Sequence, residues 1–205
     1  VTMTTTRGCP YSCRYCSQVY VGGTYREHGV ERVLAEMNRA VHDFGAQEIV
    51  FFDETFSLSR KRTLALCQAI LDRGPRVRWN VRTRADLLPD ELLAAMAAAG
   101  CVSIHVGIEA GSERVRRLMN KKLNLAKAQR ALGEARRLGI ETRGYFMLGY
   151  PGETREEMEQ TIGLARELPL DWASFSITQP MPRTGIYEDM LEQGSHDYWQ
   201  DYTLN

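Results

Sequence analysis

Three of the five cysteines fall within one eight-residue stretch, Cys9-Pro10-Tyr11-Ser12-Cys13-Arg14-Tyr15-Cys16. With three and then two residues between them, these thiolates can be wrapped around a compact iron cluster by one short loop, each sulfur reaching a different iron. Gly8 and Pro10 help the chain turn there. An electron-transfer cluster or a structural zinc centre would use a fourth thiol, and none follows nearby. Cys67 lies in the helix-like run Leu64-Ala65-Leu66-Cys67 and Cys101 opens a strand-like run after Gly100, so both are expected to be buried as small apolar side chains. Three protein ligands leave one iron open, and an open iron is where a substrate or cofactor binds. The loop also allows two plainer chemistries, zinc completed by a histidine and a Cys13/Cys16 redox pair. None of His28, His42, His105 and His196 stands at zinc-finger spacing after the cysteines.

Polar side chains recur at the ends of the apolar runs. Ile49-Val50-Phe51-Phe52 stops at Asp53 and Glu54, two carboxylates that either meet a cationic group or solvate a loop and cap the next helix. Trp79-Asn80-Val81 leads to Arg82, Arg84 and Asp86, which would line a polar cavity or pair with neighbouring loops. His105-Val106-Gly107-Ile108 leads to Glu109, set among small residues ending in Gly111-Ser112. Glu109 is placed to accept hydrogen bonds from sugar hydroxyls, whereas His105 is expected to pack in the core. Arg143 lies near the start of a run that exits through Met147-Leu148-Gly149-Tyr150-Pro151-Gly152, and a buried arginine requires an acceptor.

These runs are the strands of an alternating pattern. Six strands are predicted, over residues 1–6, 48–52, 78–83, 102–108, 141–148 and 172–178. Helical periodicity covers about 30–44, 60–73, 90–99, 113–120, 125–138 and 155–168. Gly45, Gly74, Gly100 and Gly139 each follow a predicted helix, where a left-handed C-terminal cap favours glycine. Ser59, Asn124 and Thr154 are the expected N-caps, and Thr154 with Glu157 has capping-box spacing. Repeated βα units with right-handed crossovers make either an open doubly wound sheet or a partial barrel. Both place the ligand site at the C-terminal ends of the strands.

At 205 residues and 43% hydrophobic content, the chain can bury one substantial core, and a single domain over 1–205 is expected. Lys plus Arg equals Asp plus Glu at 26 each, so no bulk field attracts nucleic acid. No apolar run approaches a membrane span, and the start Val1-Thr2-Met3-Thr4 lacks the basic and apolar regions of a signal peptide. Clustered free thiols and no leader make a reducing, cytoplasmic setting the expectation. The opening on a strand-like run without a start Met suggests a fragment of a longer protein.

The run Cys9-x-x-x-Cys13-x-Tyr15-Cys16, with an aromatic before the last cysteine, resembles the signature of the radical S-adenosylmethionine (SAM) superfamily. The likeness spans nearly the whole chain and is to the branch whose radical SAM core follows a cobalamin-binding domain. It implies an α/β fold, a partial (βα)6 TIM-like barrel of parallel strands with outer helices, around a 4Fe-4S cluster held by Cys9, Cys13 and Cys16. SAM would bind the open iron through its amino and carboxylate groups and be cleaved reductively to a 5′-deoxyadenosyl radical, which abstracts hydrogen from a small-molecule substrate. The electron would come from a reductant such as flavodoxin or ferredoxin.

The resemblance also implies roles. Tyr15 would sit among the cofactor-binding residues beside the cluster. Asp53 and Glu54 would meet the SAM amino group, standing where the family often has Gly-Gly-Glu. Glu109 and, as a weaker candidate, Ser112 would bind the ribose; Arg143 the SAM carboxylate or ribose; Met147 and Gly149 the adenine. Pro180-Met181-Pro182-Arg183-Thr184 resembles the family's Pro-x-Pro-Gly-Thr stretch with Arg183 in the place of glycine, so a different loop conformation is expected. Cobalamin would enter through an N-terminal domain outside this chain, for methyl transfer to an unactivated carbon or a ring rearrangement. A methylthiotransferase or tRNA-modifying radical SAM enzyme, and a non-catalytic iron-sulfur or zinc module, are the alternatives.

Overall fold

The computed structural model describes residues 1–17, 24–197 and 199–201. In chain order the elements are β1 (Thr2–Met3), β2 (Thr6–Arg7), β3 (Arg26–Glu27), α1 (Val30–His42), β4 (Glu48–Phe51), α2 (Arg60–Arg73) and β5 (Arg78–Thr83). After a short 3-10 turn (Ala85–Leu87) come α3 (Asp90–Ala98), β6 (Cys101–Glu109), α4 (Glu113–Leu118), α5 (Leu125–Arg137), β7 (Glu141–Leu148), α6 (Arg155–Glu167), β8 (Trp172–Ile177) and α7 (Gly185–Glu192).

The main sheet runs β1-β4-β5-β6-β7-β8, and every neighbouring pair is parallel. Strand order follows chain order without reversal. A doubly wound sheet reverses at its switch point, so this is a sheet wound in one direction, a barrel that stops at six strands. The partial barrel expected from the family likeness is the fold observed.

One face of the sheet packs against the helices. Ile49, Phe51, Trp79, Val81 and Ile104 are fully buried with Leu66, Ile70, Leu92, Leu93 and Met96, and burial of each such side chain contributes about 1.5–3 kcal/mol. Trp79 fits because its indole Nε1 donates to the Ala99 carbonyl at 2.7 Å. The opposite face carries Asn80, Arg82, His105, Arg143 and Tyr145, which are half-buried or exposed.

Local chemistry sets most element boundaries. Thr154 and Glu157 form the capping box at α6, and Asn124 accepts from the Lys127 amide at 2.9 Å at α5. Ser59 occupies the N-cap of α2 without a side-chain bond. Gly45, Gly100 and Gly139 take positive φ, but Gly74 does not. A Cβ on Gly74 would lie 2.6 Å from the Ile70 Cα, so that position needs glycine for room rather than handedness.

The first expected strand divides. Thr2–Met3 joins the sheet, whereas Thr6–Arg7 turns away to pair antiparallel with Arg26–Glu27. Buried Asp53 directs the turn, because its carboxylate accepts the Thr5 and Thr6 amides at 2.6 and 2.8 Å and the Thr5 hydroxyl at 2.6 Å. Buried Arg62 fastens the small ribbon by donating to the His28 and Thr5 carbonyls at 3.0 and 3.2 Å. Among the described residues, no helix is long and apolar enough to cross a membrane.

Candidate cofactor site

Beyond β2, Gly8 (φ 82°) turns the chain into the cysteine loop. Cys9 is buried, with its Sγ 3.6 Å from the Thr55 hydroxyl, and Cys13 and Cys16 are half-buried. The Cys16 amide donates to the Cys13 carbonyl at 3.1 Å. Two elements clamp the loop. At the end of α4, the Met119 carbonyl accepts from the Arg14 amide at 3.0 Å, and the Asn120 side chain donates to Ser12 Oγ and its carbonyl, each at 2.9 Å. On the other side the Ile186 amide of α7 donates to the Arg14 carbonyl at 3.2 Å, while the Arg14 guanidinium meets the Gly185 carbonyl and pairs with Asp189. The loop is thus held in shape from both sides by main chain and by the Asn120 and Arg14 side chains.

The three cysteines line one cavity of about 420 Å³, within the range of about 300–1,000 Å³ usual for small-molecule sites. Sharing it are Tyr11, Tyr15, Asp53, Glu54, Arg84 and Glu109. Cys67 and Cys101 are packed in the core instead. Burial pushes the Cys67 thiol up to about 12, and burial raises Cys101 further, so neither offers a thiolate. The donor set is therefore three thiols from one loop. It fits a 4Fe-4S cluster with one iron left for a ligand that is not protein.

The acids at the end of β4 have different surroundings. Both oxygens of Asp53 are occupied by Thr5 and Thr6, whereas the Glu54 side chain is exposed at the cavity with no hydrogen bond among the described residues. Glu109 sits where β6 ends, at φ 73°, after a register shift against β7. Its carboxylate accepts from Lys121 Nζ at 2.9 Å in an almost fully buried ion pair. Gly107 makes room for this pair, since a Cβ there would lie 2.1 Å from Glu109 Oε1 and 3.0 Å from Lys121 Nζ. Tyr15 and Met147 each pack against a small buried cluster that includes Met119, Tyr150 and Ile186. Burial first, then the negative charge of Glu109, raises its phenol, which stays protonated between Glu109 and Cys13. Arg84 forms two bonds to Asp86, at 3.0 and 2.9 Å, and covers the Tyr11 ring at 4.0 Å. For Arg84, ion pairing and cavity lining are thus both realised.

Other candidates stand apart. The Ser112 hydroxyl caps α4 and donates to Glu157 at 2.7 Å, and it does not line the cavity. Gly149 takes φ 75° and gives its amide to Glu153 at 2.6 Å. Arg143 and Met147 are likewise outside the cavity lining. His105, expected in the core, is half-buried and lines the cavity, with Nδ1 2.9 Å from the Tyr145 hydroxyl. Alternation along β6 carries the signal, because residues 105, 107 and 109 share a face. Lys121 and α7 have no comparable sequence signal. Arg183 takes φ 64°, the left-handed conformation that favours glycine.

Residues 3–165, which include the cysteine loop and the ends of β4 to β7, match the family described as the radical SAM superfamily. The chain belongs to that superfamily. Radical SAM enzymes use a 4Fe-4S cluster and SAM, and this core is an enzyme's. It is 35% identical over 185 residues to an uncharacterized methyltransferase of Pyrococcus horikoshii, covering 90% of this chain and 40% of that protein. It is 31% identical over 191 residues to the anaerobic magnesium-protoporphyrin IX monomethyl ester cyclase of Cereibacter sphaeroides, covering 91% of this chain and 31% of the relative. The radical SAM methyltransferase TsrM from Kitasatospora setae, solved with cobalamin and a [4Fe-4S] cluster, superposes with a TM-score of 0.85 at 23% identity, over 94% of this chain and 39% of that one. The radical SAM core thus spans less than half the length of these proteins.

Proposed function

We propose that the intact protein is a cobalamin-linked radical SAM enzyme of the cytoplasm that methylates or cyclises a small molecule, with this chain as its radical-generating core. The observation that carries the reading is the convergence of three cysteines outside any disulfide, an unengaged carboxylate at Glu54 and the held carboxylate of Glu109 on one cavity. What a reduced cluster supplies in this superfamily is the electron that breaks the sulfur–carbon bond of SAM to give a 5′-deoxyadenosyl radical.

The chain's own residues bind and orient. Cys9, Cys13 and Cys16 hold the cluster. Glu54 takes the SAM amino group, and Asp53 fixes the turn that presents the loop. Glu109, aimed by its ion pair with Lys121, accepts from the ribose hydroxyls, while Tyr15 lies between it and Cys13. Cobalamin binds in a domain outside this chain, and a small electron-transfer protein such as flavodoxin or ferredoxin delivers the electron. The names of the methyltransferase and cyclase relatives support that choice of reaction.

The test is turnover. After anaerobic reconstitution with iron and sulfide, the protein treated with dithionite and SAM should release 5′-deoxyadenosine, and Cys13→Ala should abolish it. No release by the fully loaded wild type would overturn the reading.

A further inference from the structure

The inner face of the sheet carries a row of side chains set below the ends of the strands. In register, Arg82 on β5 stands beside His105 on β6, His105 beside Arg143 on β7, and Arg143 beside Trp172 on β8. Neighbouring strands lie about 4.8 Å apart, so the two arginines leave the same face about 10 Å apart with the imidazole between them. Neither has an ion pair among the described residues; Arg82 lies over the Phe52 ring at 3.9 Å and Arg143 faces the Trp172 ring at 5.8 Å. The Nε of Arg143 is buried without an acceptor, an unfavourable state that a ligand oxygen would relieve.

The acids of this face are already engaged one row below. Glu141 accepts from Ser103 at 3.3 Å, and Glu48 accepts from Asn80 at 2.8 Å and pairs with Arg78 at 3.6 Å. Burial, then the charges of Arg143 and Arg82, lower the pKa of His105, against the pull of Glu141. The imidazole is therefore neutral and bound to Tyr145 at 2.9 Å, so two unmatched cations dominate the row. Arg82, His105 and Tyr145 line the same cavity as the cysteines. Glu109 lies four residues further along β6 than His105, about 13 Å at a rise of 3.3 Å per residue. The row therefore stands well below the end of β6, where Glu109 faces the cysteine loop.

We propose that Arg82, His105, Tyr145 and Arg143 form an anion subsite that takes a carboxylate or phosphate group of the substrate and aims the rest of that molecule toward SAM. This rests on the reading that SAM occupies the mouth of the cavity. It moves Arg143 from the cofactor to the substrate, in keeping with its place near the start of β7.

The test uses inorganic phosphate and acetate as probes, titrated calorimetrically into the anaerobic cluster-loaded protein. SAM affinity is followed in the same samples by the cluster's electron paramagnetic resonance. In the wild type one anion binds per chain, and the tighter of the two identifies the group as phosphate or carboxylate. Arg82→Gln and Arg143→Gln should each weaken that anion at least tenfold and shift SAM affinity less than threefold, while Arg143→Lys recovers part of the anion affinity and reports a folded site. Anion binding indifferent to both substitutions, or a tenfold loss of SAM affinity in Arg143→Gln, would overturn the proposal. Phosphate binding needs no SAM, so a wild type that ignores SAM yet binds phosphate through these arginines would refute the cofactor reading alone.

Discussion

Replacing the two adjacent acids after β4 should separate a structural role from a binding role. Asp53 is 1% exposed and accepts three hydrogen bonds from Thr5 and Thr6. Asp53→Ala leaves two buried amides without acceptors, at about 1–3 kcal/mol each, and removes a charge-assisted hydroxyl bond. The expected loss is about 3–5 kcal/mol, a large part of the roughly 5–15 kcal/mol that holds a domain folded. Asp53→Asn keeps an oxygen toward both amides and loses only the charge, so about 1–2 kcal/mol should go. Glu54 touches nothing that folding needs, and Glu54→Gln should stay within about 0.5 kcal/mol of the wild type. Urea denaturation of the cluster-free protein at pH 7 measures all three. SAM affinity should run the other way, falling about 10–100-fold in Glu54→Gln, or about 1.4–2.7 kcal/mol, and less than about threefold in Asp53→Asn. An Asp53→Asn protein of unchanged stability that has lost SAM, beside a Glu54→Gln protein that binds it normally, would refute the assignment.

Alanine at Cys9, Cys13 or Cys16 should drop bound iron from about four atoms per chain to near none, whereas Cys67→Ala should retain it; equal iron in all four would refute the ligand set. Glu157 is held at about 2 by Arg114, the Thr154 amide and Ser112, below its ordinary 4.5. A lowered folded value means that its stabilisation is complete above about 4.5 and is lost as pH falls toward about 2. Urea midpoints should therefore fall less steeply over that acid range in Glu157→Gln, and an unchanged slope would show that the network does not act. Arg183 sits at φ 64°, a conformation that costs a residue with a Cβ about 1–2 kcal/mol. Arg183→Gly should match or exceed the wild type by up to about 1 kcal/mol once glycine's greater freedom is counted, and Arg183→Val should lose stability. Destabilisation by glycine would mean that the arginine side chain outweighs the backbone.

Elements with strong periodicity were legible to within a residue or two. β5 and β7 begin and end as expected, and α5 and α6 start at Asn124 and Thr154, where short-range capping decides the boundary. What escaped depends on contacts between residues distant in sequence. The β2/β3 ribbon exists because Asp53 and Arg62 capture Thr5 across the fold, and two-residue strands have no pattern of their own. Likewise α7 is only eight residues long, and its role comes from Arg14, far earlier in the chain. Asp53 and Glu54 are equivalent in composition; only three hydrogen bonds to one of them tell them apart. The cysteine spacing, by contrast, is local, so the cluster loop was readable directly. Lys121 was not, because the space left by Gly107 brings it to Glu109. Arg143 was identified as a buried cation in need of an acceptor, but its neighbours in the row follow from strand register.

The central claim is that three thiols hold a 4Fe-4S cluster with an iron open to SAM. The most direct measurement is the electron paramagnetic resonance spectrum of the anaerobically reconstituted, dithionite-reduced protein before and after SAM is added. The account predicts a reduced-cluster signal that changes on SAM addition in the wild type and shows little change at the same SAM concentration in Glu54→Gln. A cluster spectrum indifferent to SAM, or stoichiometric zinc in place of iron, would contradict it.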